Sequence, residues 1–364
     1  MRNIADTIKR LNSHHTLKSS PLALNSNTRL QPLVDFGTNP GDLLAWTYIP
    51  TTFKPGSPLV VVLHGCTQTA ATYDHGSGWS ELADRHGLAL LFPEQQRSNN
   101  PNLCFNWFAT ADTSRGQGEA HSISQMVVTL ADRYSVDRGS IYVTGLSAGG
   151  AMTAAMLAAY PELFKAGAII AGLPFGTAST VPEAFDRMRG HGLQESRALA
   201  DKVRQASDHQ GPWPSVSVWH GTADKTVDPI NMEAIIGQWW HLHDLKDTPI
   251  ITSMTQSHRS RAWTDESGNT RIEAHSISGM GHGTPIKSGA DGLGIASAFM
   301  LDVGIASTWH IAKSWNLIGE NEMTAADLAA PSSVPSAKAE GTKRANHPVG
   351  SVIEDALRAA GLMR

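Results

Sequence analysis

The chain has only two cysteines in 364 residues, Cys66 and Cys104. Two are too few for a disulfide scaffold, and the pair lacks the close spacing of a zinc site. Two buried thiols and a single disulfide both fit, and a disulfide would favour an oxidising compartment. An excess of one charge is missing too. The 29 Lys and Arg are intermixed with 33 Asp and Glu, for a net charge of −4, which argues against a nucleic acid or an anionic membrane as partner. No apolar run reaches the roughly 18 to 20 residues that span a bilayer. The first thirty residues lack the charged start, apolar stretch and small-residue cleavage site of a secretory signal, so the cytoplasm is the default compartment. No internal repeat is evident.

What the chain does have is 41% hydrophobic residues, enough for a sizeable core. From about residue 33 to 315, short β-branched runs alternate with longer helical patterns, as in an α/β sheet. Strands are expected at Leu43–Ile49, Leu59–Leu63, Leu88–Phe92, Ser140–Thr144, Ala168–Ile170, Val216–Trp219 and Ile272–Ile277. Several are continuously apolar, the mark of a mostly parallel central sheet covered by helices on both faces. Residues 174–214 carry helical patterns at Pro182–Met188 and Leu193–Ala206. They form either a cap at the carboxyl ends of the strands or an ordinary crossover helix with a long loop. In the N-terminal extension, residues 1–32, Ile4, Ile8 and Leu11 fall at helical spacing and predict a short amphipathic helix. Residues 316–348 read as a linker rich in Ala, Ser and Pro. Within 349–364, Val352, Ile353, Ala356, Leu357 and Ala360 form a helical stripe, expected to dock on the body or on a second copy, giving a homo-oligomer.

The sharpest motif is Ile141 to Gly150, a β-run ending in Gly145-Leu146-Ser147-Ala148-Gly149 and followed by an alanine-rich helical segment. Strand, G-x-S-x-G, helix is the nucleophile turn of the α/β-hydrolase fold, and it makes Ser147 the candidate nucleophile. A serine hydroxyl needs a base, and the base needs an orienting carboxylate, later in the chain. Asp224 follows the strand at Val216–Trp219. Asp228 is the alternative acid, or else a turn cap before Pro229. Of 16 histidines, His282 sits in the glycine-rich loop after the last expected strand and is the candidate base, whereas His275 lies inside that strand. Backbone N–H groups of Ala148 and Cys66 are placed to form an oxyanion hole, with the adjacent His64 read as structural. His241, His243 and Asp244 could suggest a metal site, but convergent ligands are lacking. Neither metal nor cofactor is needed for this chemistry.

With these segments in order, the sequence resembles the esterase family that includes poly(3-hydroxybutyrate) depolymerases, related to feruloyl and acetylxylan esterases. The matching segments are Leu59 to Thr69, Pro93-Glu94-Gln95, Cys104 to Phe108, Arg115-Gly-Gln-Gly-Glu119, Gly145 to Met152, Ala171 to Gly176, Val218 to Asp224 and Gly279 to Gly283. The resemblance implies a Ser147, Asp224 and His282 triad, an oxyanion hole at Cys66 and Ala148, a Cys66–Cys104 bridge and action on short hydroxyalkanoate esters. Trp79 and Trp107, in segments similar to family motifs, could form an apolar platform for an acyl chain, with plain core packing as the alternative for each. The tail after Trp315 leaves no room for a separate polymer-binding domain. Oligomers are therefore expected over solid polymer, and secretion stays open. Feruloyl or acetylxylan ester hydrolysis is the alternative activity, and a non-catalytic binding protein on the same fold the remote one.

Overall fold

The computed structural model describes residues 28–246, 250–289 and 292–318. The N-terminal helix, nearly all of the linker and the C-terminal helix expected above lie outside the described residues. A compact unit beginning at Gln31 holds every element below. Its strands are β1 (Gln31–Pro32), β2 (Leu44–Tyr48), β3 (Leu59–Leu63), β4 (Ala89–Glu94), β5 (Ile141–Leu146), β6 (Ala166–Ile170), β7 (Ser215–Gly221), β8 (Ile250–Met254), β9 (His258–Thr264), β10 (Thr270–Ile277), β11 (Thr284–Ile286) and β12 (Met300–Asp302). Its helices are α1 (Ala70–Ser77), α2 (Trp79–His86), α3 (Thr110–Thr113), α4 (Gly118–Tyr134), α5 (Ala148–Ala159), α6 (Val181–Met188), α7 (Ser196–Gln205), α8 (Ile230–Leu242) and α9 (Ser307–Ser314).

Ten strands form one sheet in the order β1-β2-β4-β3-β5-β6-β7-β10-β9-β8. From β4 to β10 every neighbour is parallel. Parallel neighbours need crossover connections, and helices supply them. Every residue of β3, β5 and β6 is buried, so both faces of the central sheet are covered. The runs Leu-Val-Val-Val-Leu and Ile-Tyr-Val-Thr-Gly-Leu suit this environment, since β-branched side chains pack well on a pleat.

The sheet is wider than the sequence suggests. Strands β9 and β8 extend it antiparallel beyond β10. The β9 run, His-Arg-Ser-Arg-Ala-Trp-Thr, mixes exposed, partly exposed and buried positions, and its two arginines disguise it as a loop. The short pair β11 and β12 stands apart from the main sheet. Residues 174–214 contribute two helices in different surroundings. Helix α7 buries Ala200 and Val203 in the main core, as a crossover helix does, whereas α6 reaches the pocket described below.

The chain passes from β3 to β4 on one side and from β4 to β5 on the other. Ends of β3 and β5 therefore meet at a topological switch point, where open α/β sheets form a crevice at the carboxyl edge.

Candidate active site

Strand β5 ends in Leu146, and Ser147 opens α5 with φ 57° and ψ −117°, a strained conformation for a residue with a side chain. Close packing enforces the turn. A Cβ on Gly149 would lie 2.4 Å from Leu63 O, and one on Gly145 would lie 2.4 Å from Gly149 O, so only glycine lets the helix start this near β3. The Ser147 N–H donates to Ile170 O at 2.8 Å, tying the turn to β6. The hydroxyl is thereby aimed out of the sheet edge at the N-terminus of α5, where the helix dipole favours negative charge.

Asp224 and His282 come from the loops after β7 and β10, and the two loops are laced together. Ala223 N–H donates to Met280 O at 2.9 Å, and Gly279 N–H donates to Thr222 Oγ1 at 2.9 Å. A Cβ on Gly221 would sit 2.2 Å from Met280 O, so only glycine permits this approach. His282 Nδ1 lies 2.7 Å from Asp224 Oδ2, and His282 Nε2 lies 2.9 Å from Ser147 Oγ. A carboxylate only accepts, so Nδ1 carries the proton and Nε2 is left to accept from the serine hydroxyl.

Asp224 is buried, and burial opposes its charge. Hydrogen bonds from His220 and His282 outweigh that and hold the carboxyl well below the usual carboxylate range. Its Oδ1 also accepts the N–H groups of Thr226 at 2.8 Å and Val227 at 3.0 Å. His220 Nε2 faces two acceptors, Val227 O at 2.9 Å and Asp224 Oδ2 at 3.3 Å, so it is the protonated nitrogen. The sequence signal for this supporting histidine was its position four residues before Asp224 in the same matching segment, though the histidine itself was given no role above.

A cavity of about 120 Å³ opens beside Ser147. Its lining includes Cys66, Asn102, Trp107, Ala148, Leu173 and Val227, together with Val181, Ala184, Phe185 and Met188 at α6. Trp107 and Met188 pack on the small cluster of Ala151, Leu173 and Val227. A second hollow of about 10 Å³, room for roughly one water molecule, lies among Cys66, Gln68, Ser147, His282 and Phe299. For Trp79 the surroundings match the core-packing alternative. It is buried at 1% exposure and stacks on Trp315, which stacks in turn on Tyr142. Its indole belongs to the core under α9 and reaches no substrate surface.

The oxyanion candidates are well fixed. Cys66 is bridged to Cys104, and its neighbour Gly65 donates to Gln68 Oε1 at 2.9 Å. The Ala148 N–H lies in the first turn of α5, where helices leave donors free. The remaining candidates have local partners. Asp228 Oδ1 accepts the Ile230 N–H at 2.9 Å, a cap for α8. His275 stacks on Trp219 with ring centroids 3.7 Å apart and bonds His258 at 3.0 Å. His64 bonds Gly65 O through Nδ1 at 2.8 Å, and full burial pulls its pKa down to about 4. His241, His243 and Asp244 close α8, with His243 Nε2 donating to Pro214 O at 3.1 Å. Among the described residues, no group of three or more His, Cys, Asp or Glu side chains could hold a metal ion.

Residues 45–252 match the family model described as esterase PHB depolymerase. The chain belongs to that family. It is 40% identical to poly(3-hydroxyalkanoate) depolymerase C of Paucimonas lemoignei over 87% of this chain and 79% of that protein. It is 34% identical to an acetylxylan esterase of Coprinopsis cinerea over 71% of this chain and 70% of the other. In fold it resembles the acetyl xylan esterase from Aspergillus awamori, with a TM-score of 0.67, 22% identity, and coverage of 79% of this chain and 99% of that one. A member of the esterase PHB depolymerase family, the protein is a carboxylic ester hydrolase with an α/β-hydrolase fold. Among its described residues no helix is long and apolar enough to cross a membrane.

Proposed function

We propose that this esterase cleaves short hydroxyalkanoate esters, oligomers of 3-hydroxybutyrate foremost, through an acyl-enzyme on Ser147. The observation that carries the reading is the hydrogen-bonded line Asp224–His282–Ser147 at the mouth of a small, mostly apolar cavity. Ser147 Oγ attacks the ester carbonyl as its proton passes to His282 Nε2. Asp224 holds the ring in the acceptor tautomer and stabilises the imidazolium. Charge gathering on the carbonyl oxygen is met by the Cys66 and Ala148 N–H groups and by the start of α5. His282 then returns the proton to the leaving alcohol, and a water activated by the same nitrogen releases the acid. The hollow beside His282 and Ser147 is sized for such a water.

The cavity supports a short acyl unit. Trp107, Phe185 and Met188 suit its methylenes, and Asn102 offers a polar partner for a hydroxyl. The depolymerase relative favours hydroxyalkanoates. The acetylxylan esterase relative supports acetyl removal from a polysaccharide as the second reading, and methyl ferulate tests the feruloyl alternative. The Cys66–Cys104 bridge favours an oxidising, extracellular setting over the cytoplasmic default.

The test is the initial rate on 3-hydroxybutyrate oligomers, acetylated xylan, methyl ferulate and p-nitrophenyl esters, with wild type and Ser147→Ala side by side. Oligomers should be turned over fastest, and the variant should lose roughly 10⁴-fold or more in kcat on every substrate. Faster release of acetate from xylan would move the substrate assignment. Undiminished activity in Ser147→Ala would overturn the mechanism.

A further inference from the structure

Glu119, in the Arg115-Gly-Gln-Gly-Glu119 segment that the proposed chemistry leaves unused, opens α4 and is fully buried. Amide donors meet both of its oxygens. Oε1 accepts Gln95 Nε2 at 2.5 Å and Asn106 Nδ2 at 2.8 Å, and Oε2 accepts the Asn106 N–H at 2.9 Å.

Two hydrogen-bonded arms leave this carboxyl. Along the first, Asn106 Oδ1 accepts Asn100 Nδ2 at 3.0 Å, Asn100 Oδ1 accepts the Asn102 N–H at 3.0 Å, and Asn102 O accepts the Thr67 N–H at 2.7 Å. Along the second, the Gln95 N–H donates to His64 Nε2 at 3.1 Å, and His64 Nδ1 donates to Gly65 O at 2.8 Å. A backbone N–H on one side and a carbonyl on the other leave the imidazole a single workable tautomer. The arms end on Gly65 and Thr67, the two neighbours of Cys66. Between them, Gln95 Nε2 also donates to the carbonyl of Cys104, the disulfide partner of Cys66, at 3.1 Å. Thr67 is held at φ 64°, a conformation that needs outside support in a residue with a side chain.

We propose that Glu119 is a positioning residue for the oxyanion turn, fixing the direction of the Cys66 N–H from both sides. This rests on the reading of Cys66 as an oxyanion donor. The carboxyl suits the role in its ionised form, which accepts at both oxygens, whereas an amide in its place must set an NH₂ group against a donor.

The experiment compares wild type, Glu119→Gln, Asn106→Ala and Ser147→Ala on p-nitrophenyl acetate and butyrate at about pH 9, above the value of about 8 to which burial raises Glu119. Rates are expressed per site, counted by labelling with a fluorophosphonate carried to completion. In Glu119→Gln, kcat should fall roughly tenfold to a hundredfold on both esters, with KM little changed, because a displaced oxyanion donor is missed chiefly in the transition state. Asn106 is only partly buried, and Asn106→Ala cuts the first arm with Glu119 in place, so it should show the same kcat loss even where Glu119→Gln fails to fold. Wild-type kcat per labelled site in Asn106→Ala, or a loss confined to KM or to melting temperature, overturns the positioning role. Ser147→Ala keeps the two questions apart, since its inactivity leaves the esterase mechanism standing whatever the other variants do.

Discussion

Asp224 is the residue on which most of the polar geometry converges, accepting from two histidines and two backbone N–H groups. Asp224→Asn would place an amide against His282 Nδ1 and favour the wrong ring tautomer. The expected result is a loss of roughly 10⁴-fold in kcat on p-nitrophenyl butyrate, with the Ser147 backbone unaffected. Its depressed pKa makes the folded state hold this proton less tightly than the unfolded chain does. The stability it contributes is therefore present above the ordinary carboxylate range and disappears only as pH falls through the folded value.

Glu119 has the opposite sign. Burial, reinforced by the nearby Asp112 carboxylate, pushes it from 4.5 up to about 8, against the hydrogen bonds it accepts from Asn106 and Gln95. The folded state then binds the proton more tightly, so the contribution is complete below about pH 4.5 and lost as pH rises toward 8. Melting temperatures of wild type and Glu119→Gln across that range should converge or cross as pH rises, because glutamine does not titrate. Parallel curves would contradict the assignment.

At the scale of elements, the sequence revealed those whose residues meet only the core and hid those shaped by neighbours. Strands β3 and β5 were readable because β3 is apolar throughout and β5 is mostly apolar. The turn at Ser147 was readable because close packing permits only glycine beside it. His282 could be singled out because a glycine-rich loop follows its strand. Strand β9 was not, since it carries two arginines, one of which, Arg261, pairs with Glu233 of α8. Trp79 stayed open between two readings because a tryptophan near a candidate site looks the same in sequence whether it meets substrate or, as here, another indole. The helical pattern of α6 was legible, and its residues Val181, Ala184, Phe185 and Met188 line the cavity. Phe185→Ala or Met188→Ala should therefore shift the preferred p-nitrophenyl ester toward longer acyl chains, and Ala184→Leu toward acetate, with kcat on the best substrate largely kept. An unchanged chain-length profile in all three would remove α6 from the acyl pocket.

Across the whole molecule, the Cys66–Cys104 bridge closes a loop with a sequence separation of 38, joining β3's turn to the segment beyond β4. On a chain-entropy account such a closure contributes about 4 kcal/mol, and measured values often fall lower. Replacing both cysteines by serine should lower the denaturant midpoint accordingly, without changing the order in which p-nitrophenyl esters are preferred. A midpoint equal to that of wild type would show that the crosslink adds nothing to native stability.

The laced loops after β7 and β10 carry the proposed acid and base as one block, and the turns after β3 and β5 carry the proposed nucleophile and oxyanion donors as another. The covalent path between these blocks leaves β6 and runs through α6 and α7 before it enters β7. The stretch of chain that walls the cavity thus serves as a tether that holds none of the proposed reacting groups. Insertions, deletions and exchanges can accumulate there during evolution while the machinery on either side stays in register. One hydrolytic core could in this way be refitted from polyester to polysaccharide ester, with change concentrated in a single exchangeable segment.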